Sequence, residues 1–270
     1  MLLCYNRNNT FQERTGSLMK TALITGATSG IGREIAVYLH SLGWRLILTG
    51  RNREMLCKMA KAFGNGTRTL SIDLSKPGAP QQVFAFCAGT QVDLLVNNAG
   101  FGVFGEFTET PLAQELELID VNIRAVHILT KLFLRNMVKR DSGTILNVGS
   151  IAGFTSGPLL SGYYASKNYV VRLTTAIREE LRRKGSNVKV AVLCPGPVDT
   201  NFNNRAGVTF SVKPANPRYV ARYAVDCALD GKCIILPGLF VKIGWLGMQL
   251  CPETIAARFV YEFQKRKSKS

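Results

Sequence analysis

The chain has 270 residues, 46% of them hydrophobic and 19% charged, which fits a well-packed globular protein and excludes a disordered or fibrous one. Its 34 basic residues against 18 acidic ones give a net charge of +16, a field that favours anionic ligands, phosphorylated cofactors among them. No zinc-finger, basic-zipper or RNA-recognition pattern accompanies that charge, so nucleic acid is not expected as a partner.

Residues 1–18 read as foreign to the remainder of the chain. Met1-Leu2-Leu3-Cys4 is too short for a signal-peptide core, and the next stretch is polar. The expectation is a disordered leader, or Met19 as the true start, with 19–270 forming one domain. From Lys20 to Leu236, apolar β-type runs alternate with helical stretches. Strands are expected at Thr21–Thr25, Arg45–Thr49, Thr69–Ile72, Val92–Val96, Thr144–Val148, Val188–Leu193 and Cys233–Leu236. Between them lie helical patterns such as Gly32–Leu42, where Ile35, Leu39 and Leu42 recur at helical spacing, and Arg53–Phe63. Pro111 and Pro217 suit the first turns of two later helices, with Asn216 as the cap of the second. Short, wholly apolar strands separated by helices imply an α/β Rossmann-type doubly wound fold. Its central parallel sheet would have about seven strands, with helices on both faces.

The chemistry sits where strands end. After the first strand comes Thr25-Gly26-Ala27-Thr28-Ser29-Gly30-Ile31-Gly32. Glycines permit a tight turn and close approach of backbone to a pyrophosphate, and the following helix start offers free N–H groups. Gly26, Thr28, Ser29, Gly30, Ile31 and Gly32 are therefore candidate cofactor contacts. The second strand ends in Thr49-Gly50-Arg51, where an acidic residue would bind the ribose hydroxyl of NAD. Arg51 suits a 2′-phosphate instead, so NADP(H) is favoured over NAD(H). Asp73 and Leu74, after the third strand, are placed to contact the adenine end. Asn98, Ala99 and Gly100 close the fourth, small enough for the cofactor to cross the sheet edge.

Tyr163 and Lys167 stand four apart, which puts both on one helical face, and Ser150 precedes Tyr163 by thirteen residues. A phenol with a pKa of about 10 is a poor acid-base group at neutral pH. A neighbouring ammonium is expected to lower that pKa and make Tyr163 a usable proton donor and acceptor. Tyr164, one residue off that face, is read as a packing or pocket residue.

Two segments break the alternation. Asn201–Pro217 follows a Pro-Gly-Pro turn and reads as a surface loop or a substrate lid. Leu236–Leu250 is strongly apolar and short for a membrane span, and a basic tail comes after it at Lys265–Lys269. Packing on the core or in a substrate pocket is preferred for it over a shallow, peripheral membrane contact. The seven cysteines are widely spread without a Cys-x-x-Cys pair, which points to a reducing, cytoplasmic compartment. With two histidines and no His-Glu-x-x-His, no metal site is expected.

Taken in order, Thr25–Gly32, Asn97–Gly100, Asn122, Ser150, Tyr163 with Lys167, and Pro195–Thr200 resemble the short-chain dehydrogenase/reductase superfamily in its shorter, single-domain branch. The resemblance runs from about Met19 to Leu236. It implies that Tyr163 exchanges a proton with the substrate oxygen and that Ser150 hydrogen-bonds that oxygen. Lys167 would lower the pKa of Tyr163 and hold the nicotinamide ribose, and Asn122 would anchor a water in a proton relay. Pro195, Gly196, Val198 and Thr200 would line the nicotinamide end. The implied activity is interconversion of a ketone and a secondary alcohol by hydride transfer, with a small-molecule carbonyl or alcohol as substrate. A homo-dimer or homo-tetramer is the implied assembly. The apolar C-terminal segment suggests a bulky steroid or fatty-acyl substrate. A 3-oxoacyl thioester reductase and a silent NADP-binding sensor or scaffold are the alternatives.

Overall fold

The apolar runs assemble into one sheet whose spatial order departs from chain order. The computed structural model describes residues 19–64, 66–200 and 214–265, so the expected leader and most of the expected lid lie outside the described residues. Strands β1 Thr21–Ile24, β2 Arg45–Gly50, β3 Arg68–Ser71, β4 Leu94–Asn97, β5 Thr144–Val148, β6 Lys189–Leu193 and β7 Ile234–Ile235 lie in the order β3-β2-β1-β4-β5-β6-β7. All pairings are parallel, with Ile24 opposite Leu48 on one side and Val96 on the other. Strands β1, β4 and β5 are buried along their whole length. A strand covered on both faces has no polar side to show, hence continuous apolar runs in place of alternation.

Successive side chains then feed two separate cores. On one face Ala22, Ile24, Leu46 and Leu48 pack against helices α1 (Gly30–Ser41), α2 (Arg53–Phe63) and α7 (Pro217–Leu229). On the other face Leu23, Ile47, Leu95 and Ile145 meet α3 (Ala79–Phe86), α5 (Val126–Lys139) and α6 (Ser161–Arg183). Helix α4 (Leu112–Ile119) passes through a π-helical turn, Asp120–Ala125, directly into α5.

Several boundaries differ from the sequence expectation for local reasons. Edge strand β7 shrinks to two residues because only Val192 and Leu193 of β6 face it. Pro111 caps α4 rather than opening its first turn, whereas Pro217 opens α7 with Asn216 Oδ1 accepting from the Arg218 N–H at 2.8 Å. The apolar C-terminal segment becomes helix α8 (Leu239–Leu250), followed by α9 (Glu253–Lys265). One side of α8, Val241, Trp245 and Met248, packs on the core as expected, but no residue of the helix is fully buried.

Candidate active site

From β1 the chain winds to β2 on one side, and it later returns to place β4 on the other. Connections that leave in opposite directions open a crevice at the carboxyl ends of those two strands. The ends are clasped across the gap. Asn98 Nδ2 donates to the carbonyls of Thr25 (2.9 Å) and Gly26 (3.1 Å), and the Thr25 hydroxyl accepts from the Asn98 and Ala99 N–H groups. Gly26 turns at φ +62° in the left-handed region, and a Cβ there would lie 2.9 Å from the Ala99 backbone. Ser29 caps α1 without a side-chain hydrogen bond, and no acidic residue occupies the first turn. The free N–H groups and positive end of that helix are thus available to an anion.

A cleft of about 900 Å³ runs along these strand ends. At one end it is lined by Thr28, Ser29, Gly30 and Ile31 with Arg51, Asp73 and Leu74. Burial raises the Asp73 pKa, but hydrogen bonds from the Ser75 N–H and hydroxyl and the charge of Arg51 outweigh it, and the carboxyl is held below its usual range. The buried Thr49 hydroxyl beside them has no hydrogen bond among the described residues. In the middle stand Gly26, Asn98, Ala99 and Gly100; at the far end are Ser150, Tyr163 and Lys167, faced by Pro195, Gly196, Val198 and Thr200. A close-approach glycine turn, an unpartnered hydroxyl and a bare helix start fit a dinucleotide lying along the cleft.

The far end is built from two elements. Strand β5 ends at Val148, and Ser150 then caps a short 3-10 turn, Ile151–Phe154, its Oγ accepting from the Ala152 N–H at 3.1 Å. Its hydroxyl also hydrogen-bonds the Tyr163 phenol. Tyr163 and Lys167 project from α6 one turn apart. Lys167 Nζ donates to the Val148 carbonyl at 2.8 Å and lies 5.7 Å from the centre of the Tyr163 ring.

The electrostatics correct the sequence expectation. Burial pushes the Tyr163 phenol up to about 12, the Ser150 hydrogen bond offsetting only part of it. Burial likewise pushes Lys167 down to about 8. In the chain by itself burial therefore outweighs whatever lowers the phenol's pKa, and the net shift is upward. Desolvation penalises both charged forms, and the ammonium donates to the Val148 carbonyl.

Gly32, an expected cofactor contact, and Asn122, the expected anchor of a relay water, stand behind the cleft rather than in its wall. Gly32 is a packing residue: a Cβ there would lie 2.3 Å from Asn98 Nδ2 and 2.6 Å from the Gly26 carbonyl. Asn122, in the π-helical turn, accepts from the Phe101 N–H (3.1 Å) and donates to the Phe101 carbonyl (2.9 Å) and Ser166 Oγ (3.0 Å). Both hydrogens of its amide are spent on protein, so the side chain fastens the loop after β4 to α6.

Sequence reasoning missed Phe263 and Gln264 of α9, which line the cleft where α8 was expected. Gln264 Nε2 donates to the Tyr164 hydroxyl at 2.8 Å across a separation of 100 residues. The spacing of Ile255, Phe259 and Phe263 marks one helical face, but no local signal says what that face meets.

Comparisons with known proteins agree with this geometry. The family described as short chain dehydrogenase matches residues 20–209. The mouse dehydrogenase/reductase SDR family member 7B is 34% identical over 194 residues, covering 68% of this chain and 59% of its own; the chain thus spans less than two thirds of that relative. The zebrafish very-long-chain 3-oxoacyl-CoA reductase-B is 30% identical over 256 residues, covering 92% of this chain and 81% of its own. Among solved structures, a short-chain dehydrogenase from Sphingobium yanoikuyae in complex with NADPH superposes with a TM-score of 0.78 at 26% identity, covering 86% of this chain and 92% of its own. One from Burkholderia phymatum in complex with NAD gives 0.76 at 26% identity, covering 84% and 92%. A doubly wound sheet, a cleft at its switch point and a family match over most of the chain converge: this protein belongs to the short-chain dehydrogenase/reductase family of oxidoreductases.

Proposed function

We propose that the protein is an NADP(H)-dependent reductase of bulky hydrophobic ketones, and the dehydrogenase of the matching secondary alcohols. The observation that carries this reading is the hydrogen-bonded Ser150–Tyr163 pair with Lys167 beside it, in the same cleft as the glycine turn and Arg51. The nicotinamide group, when bound, supplies or accepts the hydride. In reduction, Tyr163 gives its phenolic proton to the carbonyl oxygen as negative charge develops there. Ser150 Oγ, held by the Ala152 N–H, turns its hydrogen from the Tyr163 phenol to that same oxygen once a substrate is bound. The Lys167 ammonium stabilises the phenolate left behind and holds the nicotinamide ribose. Asn122 and Ser166 keep α6 in register with the loop carrying Gly100.

Preference for NADP(H) is supported by Arg51, an exposed cation on the cleft rim, and by the lack of any acidic residue between Leu46 and Arg53. Phe101, Val121, Ile151, Leu160 and Phe263 make the walls near Tyr163 apolar, which suits a steroid or an acyl chain. A 3-oxoacyl thioester is the second reading, favoured by the zebrafish relative and by a positive field that would attract a phosphorylated thiol carrier. A homo-oligomer in a reducing, cytoplasmic compartment completes the proposal, in keeping with six free cysteines among the described residues.

The test is the initial rate of NADPH and NADH oxidation against ketosteroids, 3-oxoacyl thioesters and small aldehydes. Tyr163→Phe should lower kcat by about 10²- to 10⁴-fold while nucleotide affinity holds; an unchanged rate refutes the assignment. Arg51→Glu should raise KM for NADPH about tenfold or more, the scale of a lost charge-assisted hydrogen bond, and spare NADH.

A further inference from the structure

Helix α8 is apolar on two opposite sides, and the fold covers only one. Val241, Trp245 and Met248 share the inner side and pack against the cluster of Phe154, Val170 and Leu236, with the Trp245 ring edge-on to Phe154 at 6.1 Å. Leu239, Ile243, Leu246 and Leu250 recur along the outer side at helical spacing, with Phe240 next to them. Leu239 is 70%, Phe240 90% and Leu250 79% exposed. The pattern continues on α9, where Ile255 and the 71% exposed Phe259 share a face with Phe263, which lines the cleft. So many large exposed apolar side chains on two consecutive helices mark a surface that something covers.

We propose that the outer side of α8, with the Ile255–Phe259 face of α9, docks shallowly on an anionic lipid bilayer. Charge selects that occupant. Lys242 is the sole charged side chain of α8, and across the described residues of α8 and α9 Lys242, Arg258 and Lys265 stand against Glu253 and Glu262. A second copy of this chain meeting the first on this same face would set Lys242 against like charge, whereas anionic headgroups neutralise it and draw on the chain's net charge of +16. Lys242 can lay its stem on the apolar side and keep its ammonium among the headgroups. Length decides the depth. The twelve residues of α8 rise about 18 Å, against about 30 Å of hydrocarbon, and no helix among the described residues is long and apolar enough to cross a membrane. Such a helix lies in the interface rather than spanning it.

Co-sedimentation of the full chain with phosphatidylglycerol–phosphatidylcholine vesicles, without nucleotide or substrate, tests this separately from the catalytic reading. The wild type should pellet with these vesicles, less with pure phosphatidylcholine, and less as salt rises. Changing Leu239, Phe240 and Leu246 together to Ser should cut partitioning about tenfold or more, with circular dichroism and thermal midpoint unchanged, because none of the three is part of the packed cores. Should that triple variant misfold, Phe240→Ser alone should still weaken binding. A wild type that stays in the supernatant overturns the proposal. So does a wild type that sediments as a dimer which the substitutions dissociate, for the face would then belong to a second copy.

Discussion

Lys167 and Tyr163 show how burial acts in opposite directions on two partners. Desolvation favours the neutral form of each, so the lysine drops to about 8 while the phenol climbs to about 12. Across the neutral range Tyr163 keeps its proton, and the group that changes state is Lys167. An ammonium is needed to stabilise the phenolate, so kcat/KM for carbonyl reduction should fall as pH rises through about 8, and below that it should stay flat until another group titrates. A pH–rate profile with no inflection near that value would remove Lys167 from the proton step. Tyr164 differs for a geometric reason: its hydroxyl is held by Gln264. One position along the helix therefore separates the proposed proton donor from a residue tied to the C-terminal helix.

At the scale of elements, α1 and α6 position the site. Helix α1 can approach β4 only because residue 32 has no side chain. Gly32→Ala would push a methyl into Asn98 and the Gly26 carbonyl, loosening the clasp between the β1 and β4 ends. Overpacking of this kind costs about 1–3 kcal/mol, and denaturant unfolding should read that loss together with weaker NADPH binding. Helix α6 is pinned from several sides. Asn168 Nδ2 donates to the carbonyls of Ala152 and Thr155, and Gly153 lies so close that a Cβ would sit 2.6 Å from Val171. These contacts join the turn carrying Ser150 to the helix carrying Tyr163, so the pair is set by packing between elements rather than within either one.

For the whole molecule, the cleft is a property of sheet order. Residues after β1, β2, β3, β4, β5 and β6 all line it, with α9 closing one end. A ligand touching that many elements stabilises the folded state as a unit. NADPH at about a hundred times its Kd should add about 2.7 kcal/mol and raise the thermal midpoint by about 5–10 °C, measured by differential scanning calorimetry. A midpoint that NADPH leaves unmoved would argue against binding in this cleft.

The sequence by itself determined the strands, their parallel pairing and most of the cleft wall. Continuous apolar runs such as Leu94–Val96, the glycine turn at Gly26–Gly32 and the four-residue step from Tyr163 to Lys167 are local patterns, and local sterics and periodicity make them legible. Tertiary structure decided the rest. It set the protonation states, because desolvation depends on what surrounds a group. It moved Gly32 and Asn122 behind the cleft, because close approach of elements is not written in either one. It also brought Phe263 and Gln264 into the cleft and left the outer side of α8 bare. An apolar helix announces that it will be covered; only the packed chain reveals which side the fold covers and which it leaves to another surface.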